Sequence, residues 1–256
     1  MQVVILAGGF GTRISEHTEL IPKPMLPIGG KPMLWHIMQW YAQFGHTDFV
    51  VALGYKEEVI RNYFLDFYLN SSDIEVSLGS GETTVLQSTH TDWKVRLIST
   101  GLNTMTGGRL KRLQEHLKDE TFMFTYGDGV SNINLDDLLN THKSNRAHAT
   151  VSAVRPTARF GELKIEGNKV LSFDEKPQIE SGWINGGFMV LEPDVFDYIE
   201  GDETMFEREP LSKIAQAGKL AAHLHEGFWQ CIDTKREYDR LEEIYRESPP
   251  WINRSE

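Results

Sequence analysis

Four apolar residues in a row, Val3 to Leu6, run into a cluster formed by Gly8, Gly9 and Gly11. A β-branched run bounded by glycine predicts a buried strand that feeds a tight loop. Residues 33–44 then carry apolar side chains at helical spacing and stop at Gly45, and 48–53 form a second apolar run. In 57–69, Val59, Ile60, Tyr63, Phe64 and Phe67 share one helical face. Strand, loop, helix, strand, helix in that order predicts an α/β fold with a doubly wound, mostly parallel sheet. Ligands of such sheets bind at the carboxyl ends of the strands, where the glycine loop sits.

Residues 71–92 interrupt this rhythm with Ser, Thr, Gly and Asp, leaving only 74–78 and 83–86 as short strands. A long polar stretch is ordinarily a surface excursion. The alternative is an arm that reaches a neighbouring subunit. The pattern resumes with strands at 93–100, 121–126, 149–155, 183–191 and 220–225 and helices at 107–117, 135–144, 194–199 and 206–217. Residues 160–165 and 170–173 predict a hairpin turning at Glu166-Gly167-Asn168, and 235–246 an amphipathic closing helix.

The 256 residues suit one main domain spanning 1–256, with 235–256 as a closing helix and tail. A net charge of −11 argues against polymeric nucleic acid or an anionic membrane as partner. A phosphate-binding pocket must therefore be a local positive site. The single cysteine, Cys231, excludes an internal disulfide, and no apolar run approaches the roughly 20 residues of a membrane span. Both point to the cytoplasm.

Three glycines in four positions let several N–H groups face one anion, and Arg13 adds a permanently charged fork for phosphate oxygens. The dinucleotide fingerprint fails because Ile14 stands where its third glycine belongs, and no Gly-Lys-Ser/Thr triplet follows. A turn that merely needs glycine is the plain alternative. Pro22 and Pro24 hold the backbone extended around Lys23 and present it. Asp128 lies between Gly127 and Gly129 at a predicted strand end, which suits either a magnesium ligand or an ordinary turn. Arg109 and Arg112 share a helical face, open to an anion or to solvent. Asn185-Gly186-Gly187 admits a sugar ring near the backbone, or marks a strand bulge. His223 and His225 lack metal-ligand partners at suitable spacing and are taken as ordinary strand residues.

Leu6-Ala7-Gly8-Gly9-Phe10-Gly11-Thr12-Arg13, together with Pro22-Lys23-Pro24-Met25, resembles the signature of the sugar-1-phosphate nucleotidylyltransferases. The likeness runs over nearly the whole chain, including Phe124 to Gly129, Phe173 to Pro177, Ile184 to Phe188 and Phe228 to Thr234. The stretch from Met105 to Arg112 points to the cytidylyl branch. The resemblance implies a three-layer, Rossmann-like nucleotidyltransferase fold with a small β-rich extension. It implies cytidylyl transfer from CTP to α-D-glucose 1-phosphate with Mg²⁺, the product feeding deoxysugar synthesis. Nucleotide contacts are implied for Leu6 to Arg13, Lys23, Thr104, Arg109, Gly127 and Asp128. The implied sugar-phosphate contacts are Glu175, Lys176, Asn185 and Gly186, and the metal is shared by Asp128 and Asp233. Arg13, Lys23, Asp128 and Asp233 are the implied catalytic set. A closed homo-oligomer, with a hexamer as one form, is implied too, the 71–92 arm taking part in its contacts. The same reaction with UTP or dTTP, and a non-catalytic regulatory module that binds nucleotide sugar, are the alternatives.

Overall fold

The computed structural model describes residues 1–11, 21–88, 91–156 and 182–252, and the backbone of 162–166 and 169–174. The strands are β1 (Gln2–Leu6), β2 (Pro27–Ile28), β3 (Lys31–Pro32), β4 (Asp48–Leu53), β5 (Ser72–Ser77), β6 (Glu82–Ser88), β7 (Lys94–Ser99) and β8 (Phe122–Tyr126). They continue with β9 (Gly129–Ser131), β10 (Ala149–Val154), β11 (Glu162–Glu166), β12 (Lys169–Asp174), β13 (Ile184–Leu191), β14 (Leu220–His225) and β15 (Trp229–Cys231). The helices are α1 (Met33–Ala42), α2 (Glu57–Asn70), α3 (Thr106–Arg112), α4 (Leu135–Asn145), α5 (Glu209–Gln216) and α6 (Lys235–Glu247).

Seven strands form the main sheet in the order β14-β10-β13-β8-β1-β4-β7. All neighbours are parallel except β13, which runs antiparallel to both β10 and β8. The sheet is thus mostly parallel, as the alternation predicts. Side chains of β1 alternate between two cores, because successive residues of a strand face opposite ways. Val3 and Ile5 pack with Ile37, Met38 and Trp40 of α1, Leu138 of α4 and Leu241 of α6. Val4 and Leu6 pack on the other face with Leu110 of α3 and Leu211 and Ile214 of α5. Helices on both faces are why Val3 to Leu6 of β1 and Phe49 to Leu53 of β4 are unbroken apolar runs.

Element ends differ from the pattern for local reasons. Pro210 has no N–H to give a preceding turn and belongs in a first helical turn. The helix expected over 206–217 accordingly starts at Glu209. The helix expected to reach 117 ends at Arg112 and tightens into a 3₁₀ turn at Gln114–His116. Residues 193–198 are also 3₁₀, with Pro193 opening the turn. Strands β5 and β6 pair antiparallel as an arm of largely exposed residues, and β11 pairs antiparallel with β12.

The pairing that matters most for the site has no periodic signal. Three-residue β9 pairs with three-residue β15, and the Ile232 N–H donates to the Asp128 carbonyl at 2.9 Å. This small ladder brings together Asp128 and Asp233, 105 positions apart in the sequence.

Candidate active site

The glycine loop leaves β1 at the carboxyl edge of the sheet. Leu6 and Ala7 are buried, and the Leu6 carbonyl accepts the Gly127 N–H at 2.9 Å. Gly8 passes over a buried guanidinium: a methyl group there would lie 2.3 Å from Nη1 of Arg109. Gly9 has open space around its α-carbon, Phe10 is exposed beside the Tyr55 ring, and Gly11 has φ +64. Each glycine is therefore there for its own reason: one makes room for an arginine, one faces open space, one adopts a left-handed turn. Thr12 and Arg13 lie outside the described residues, as do Glu175 and Lys176.

Arg109 is 4% exposed. Nη1 donates to the Leu53 carbonyl (3.0 Å), Thr100 Oγ1 (2.8 Å) and the Gly101 carbonyl (2.7 Å), and Nη2 to the Leu102 carbonyl (3.1 Å). Burial, and then the nearby charge of Arg112, hold its pKa below the usual guanidinium range. The two arginines part company: Arg112 turns outward and pairs with Asp202. Thr104, 8% exposed, packs where a side chain on Gly101 would stand.

On the other side of β1, Lys23 begins a 3₁₀ turn entered through Pro22, and its ammonium bridges two carboxylates. Nζ is 2.9 Å from Asp128 Oδ2 and 2.8 Å from Asp233 Oδ1. Burial alone would lower the lysine pKa, but Asp128 and Asp233 together outweigh it and raise the value. Asp128 follows β8, and Asp233 follows β15 and opens α6. The Glu237 carboxylate accepts both the Asp233 and Thr234 N–H groups, at 2.7 and 2.8 Å, closing a capping box that fixes Asp233 at the helix start. Two carboxylates close enough to share one cation match the hard, sparse donor set that magnesium uses, with phosphates and water filling the remaining positions. Among the described residues no group of three or more His, Cys, Asp or Glu is placed to hold a metal.

Asp128 and Asp233 open onto a cavity of about 1850 Å³ that also takes in Tyr126, Asn185, Glu207 and Trp229. Asn185 is exposed into it, with Oδ1 accepting the Gly187 N–H at 2.8 Å. The β10–β13 register slips beside Asn185, so the bulge is real. Gly186 and Gly187 owe their small size to neighbours. A methyl group on Gly186 would meet Val154 at 2.6 Å, and one on Gly187 would meet the Tyr126 ring at 2.6 Å. Sequence reasoning missed Tyr126, Glu207 and Thr106. Glu207 lies in the charged run Glu207-Arg208-Glu209, indistinguishable from a solvated surface. His223 and His225 are strand residues held by Thr141 and by Ser131 and the Phe228 carbonyl.

A family model described as nucleotidyl transferase matches residues 2–246. The chain is 47% identical to the glucose-1-phosphate cytidylyltransferase of Salmonella typhi over 98% of each chain. It is 46% identical to the probable glucose-1-phosphate cytidylyltransferase of Bacillus subtilis over 95% of this chain and 94% of that one. Among solved structures, HddC from Yersinia pseudotuberculosis superposes with a TM-score of 0.70 at 25% identity, covering 95% of this chain and 99% of the other. The glycine loop at the sheet edge, the paired aspartates and a family match over nearly the full length agree: this chain belongs to the nucleotidyl transferase family.

Proposed function

We propose that this protein transfers a cytidylyl group from CTP to α-D-glucose 1-phosphate, giving CDP-glucose and pyrophosphate. The observation that carries the reading is the convergence of Asp128, Asp233 and Lys23 beside the glycine loop. The cytidylyltransferase relatives at 47% and 46% identity favour cytosine over uracil or thymine, and an enzyme over a regulatory module.

A sugar-phosphate oxygen is already ionised at neutral pH, so attack on the α-phosphorus needs no general base. What the protein must supply is in-line alignment and neutralisation of charge on the pentavalent phosphorus and the departing pyrophosphate. The exposed residues Gly9 and Phe10, through their backbone N–H groups, would cradle the β- and γ-phosphates with Thr12 and Arg13. Lys23 serves the α-phosphate. Arg109 sits beneath the loop on the cytosine side. Lys176 holds the nucleophilic phosphate, while Glu175, Asn185 and Gly186 take the sugar. Asp128 and Asp233 would hold Mg²⁺, which would supply Lewis-acid neutralisation of phosphate charge.

Residues 1–256 form one nucleotidyltransferase domain in this reading, working in the cytoplasm; no helix among the described residues is long and apolar enough to cross a membrane. A homo-oligomer, with a hexamer as one form, accounts for the apolar side chains the arm exposes, Leu78 at 94% and Leu86 at 65%.

Phosphorus NMR of the protein with CTP, glucose 1-phosphate and Mg²⁺ tests the proposal. CDP-glucose and pyrophosphate should rise together, with inversion at phosphorus when a chiral α-thio CTP is used. Retention would contradict a single in-line displacement, and absence of CDP-glucose would contradict the assignment.

A further inference from the structure

One polar chain on the cavity wall has no part in the roles above. Glu207 accepts hydrogen bonds from the Tyr126 hydroxyl and, at 2.6 Å, from Thr106 Oγ1. Thr106 opens α3, and its hydroxyl in turn accepts the Phe206 N–H at 3.0 Å. Both carboxylate oxygens of Glu207 are thus matched to hydroxyl donors, although the residue itself is exposed to the cavity.

Tyr126 passes this constraint on. Its ring presses against Gly187 so closely that a methyl group there would lie 2.6 Å from Cδ2. Gly187 donates its N–H to Asn185 Oδ1 at 2.8 Å. The Trp229 indole N–H pins the Gly186 carbonyl at 2.7 Å from the other side. Glu207 therefore fixes the phenol, the phenol fixes the bulge, and the bulge fixes the direction in which Asn185 faces the cavity.

We propose that Glu207 is a positioning residue for the sugar-phosphate half of the site, acting through Tyr126 to hold Asn185 and the Gly186–Gly187 bulge ready for sugar hydroxyls. This rests on the reading of Asn185 as a sugar ligand. A charge-assisted hydrogen bond from a fixed outer residue is the ordinary means of locking a ligand-contacting group. Removing it should loosen binding of one substrate and spare the other.

The test is initial-rate kinetics with CTP and glucose 1-phosphate varied separately, on wild type, Glu207→Ala, Glu207→Gln, Tyr126→Phe, Asn185→Ala and the double variant Glu207→Ala/Asn185→Ala. Thermal melts confirm that each is folded. Glu207→Ala and Tyr126→Phe should raise the KM for glucose 1-phosphate about tenfold while that for CTP stays within about twofold. Glu207→Gln, which keeps one acceptor oxygen, should recover most of the loss. The double variant should be no worse than Asn185→Ala alone, because the two act in one line. If Asn185→Ala raises the sugar-phosphate KM but Glu207→Ala does not, or if the two effects simply add, the proposal is overturned and the sugar site stands. If Asn185→Ala leaves that KM unchanged, the sugar-site reading fails and takes the proposal with it.

Discussion

Arg109 lies directly under Gly8, with Nη1 at 2.3 Å from where a Gly8 side chain would begin. Gly54 is constrained in the same way, at 2.4 Å from the same nitrogen. A single buried guanidinium therefore ties the glycine loop to the ends of β4 and β7, through the Leu53 carbonyl and Thr100. Replacing it by alanine strands several buried carbonyls, and should cost about 2–4 kcal/mol of stability and raise the KM for CTP. Gly8→Ala should cost about 1–3 kcal/mol by overpacking. Urea unfolding of both single variants and the double variant checks this. The Gly8→Ala penalty should shrink once Arg109 is gone, because the clash has gone with it.

Lys23 occupies the space between two carboxylates. Lys23→Met leaves Asp128 and Asp233 facing each other with no counter-charge. Its melting temperature without divalent metal should fall below that of wild type. Adding Mg²⁺ should restore more of the melting temperature in the variant than it adds to wild type. Differential scanning calorimetry with and without chelator reads both effects. Equal metal responses in the two proteins would mean that the aspartates do not share a cation.

Asp233→Ala and Arg13→Ala should leave the fold intact and lower turnover by about 10²–10³-fold, the usual scale for losing one charge-stabilising group. Chelation should abolish turnover in wild type, and Mg²⁺ should restore it. Glu237→Ala, which releases the Asp233 N–H, should lower turnover less than Asp233→Ala while also weakening the α6 cap by about 1 kcal/mol. Circular dichroism alongside pyrophosphate release separates the two effects.

Acid stability should follow the buried histidines. His36, 1% exposed and bonded to the Ile28 carbonyl at 2.8 Å, has its pKa lowered by burial, as do His46, His223 and His225. The unfolded chain, with imidazoles near pKa 6.5, then takes up more protons than the folded one. Stability is therefore full above about pH 7 and declines as the pH falls towards about 5. Melting temperatures across that range give the sign directly. His36→Gln should flatten part of the slope.

The centre of the sheet was legible because β1, β4 and β8 are buried on both faces and the helices carry one apolar stripe. Val3 to Leu6 and the 48–53 run announce themselves on those grounds. The aspartate pair was only half legible. Asp128 stands in a glycine turn at a strand end, but its meeting with Asp233 depends on the three-residue pairing of β9 with β15, too short to leave a period. Arg109, three residues from Arg112, was legible as an anion contact or a solvated side chain, but not as a buried tether. Only the missing side chains of Gly8 and Gly54 make room for it inside. Glu207 left no trace, since its partners Tyr126 and Thr106 are 81 and 101 positions away.

The most direct test of the central claim is pyrophosphate release measured in parallel with CTP, UTP, dTTP, GTP and ATP, each with α-D-glucose 1-phosphate and Mg²⁺. The account predicts turnover with CTP far above that with any other nucleotide. Equal or greater turnover with another nucleotide would contradict the base assignment, and no turnover with any of the five would contradict the enzyme itself.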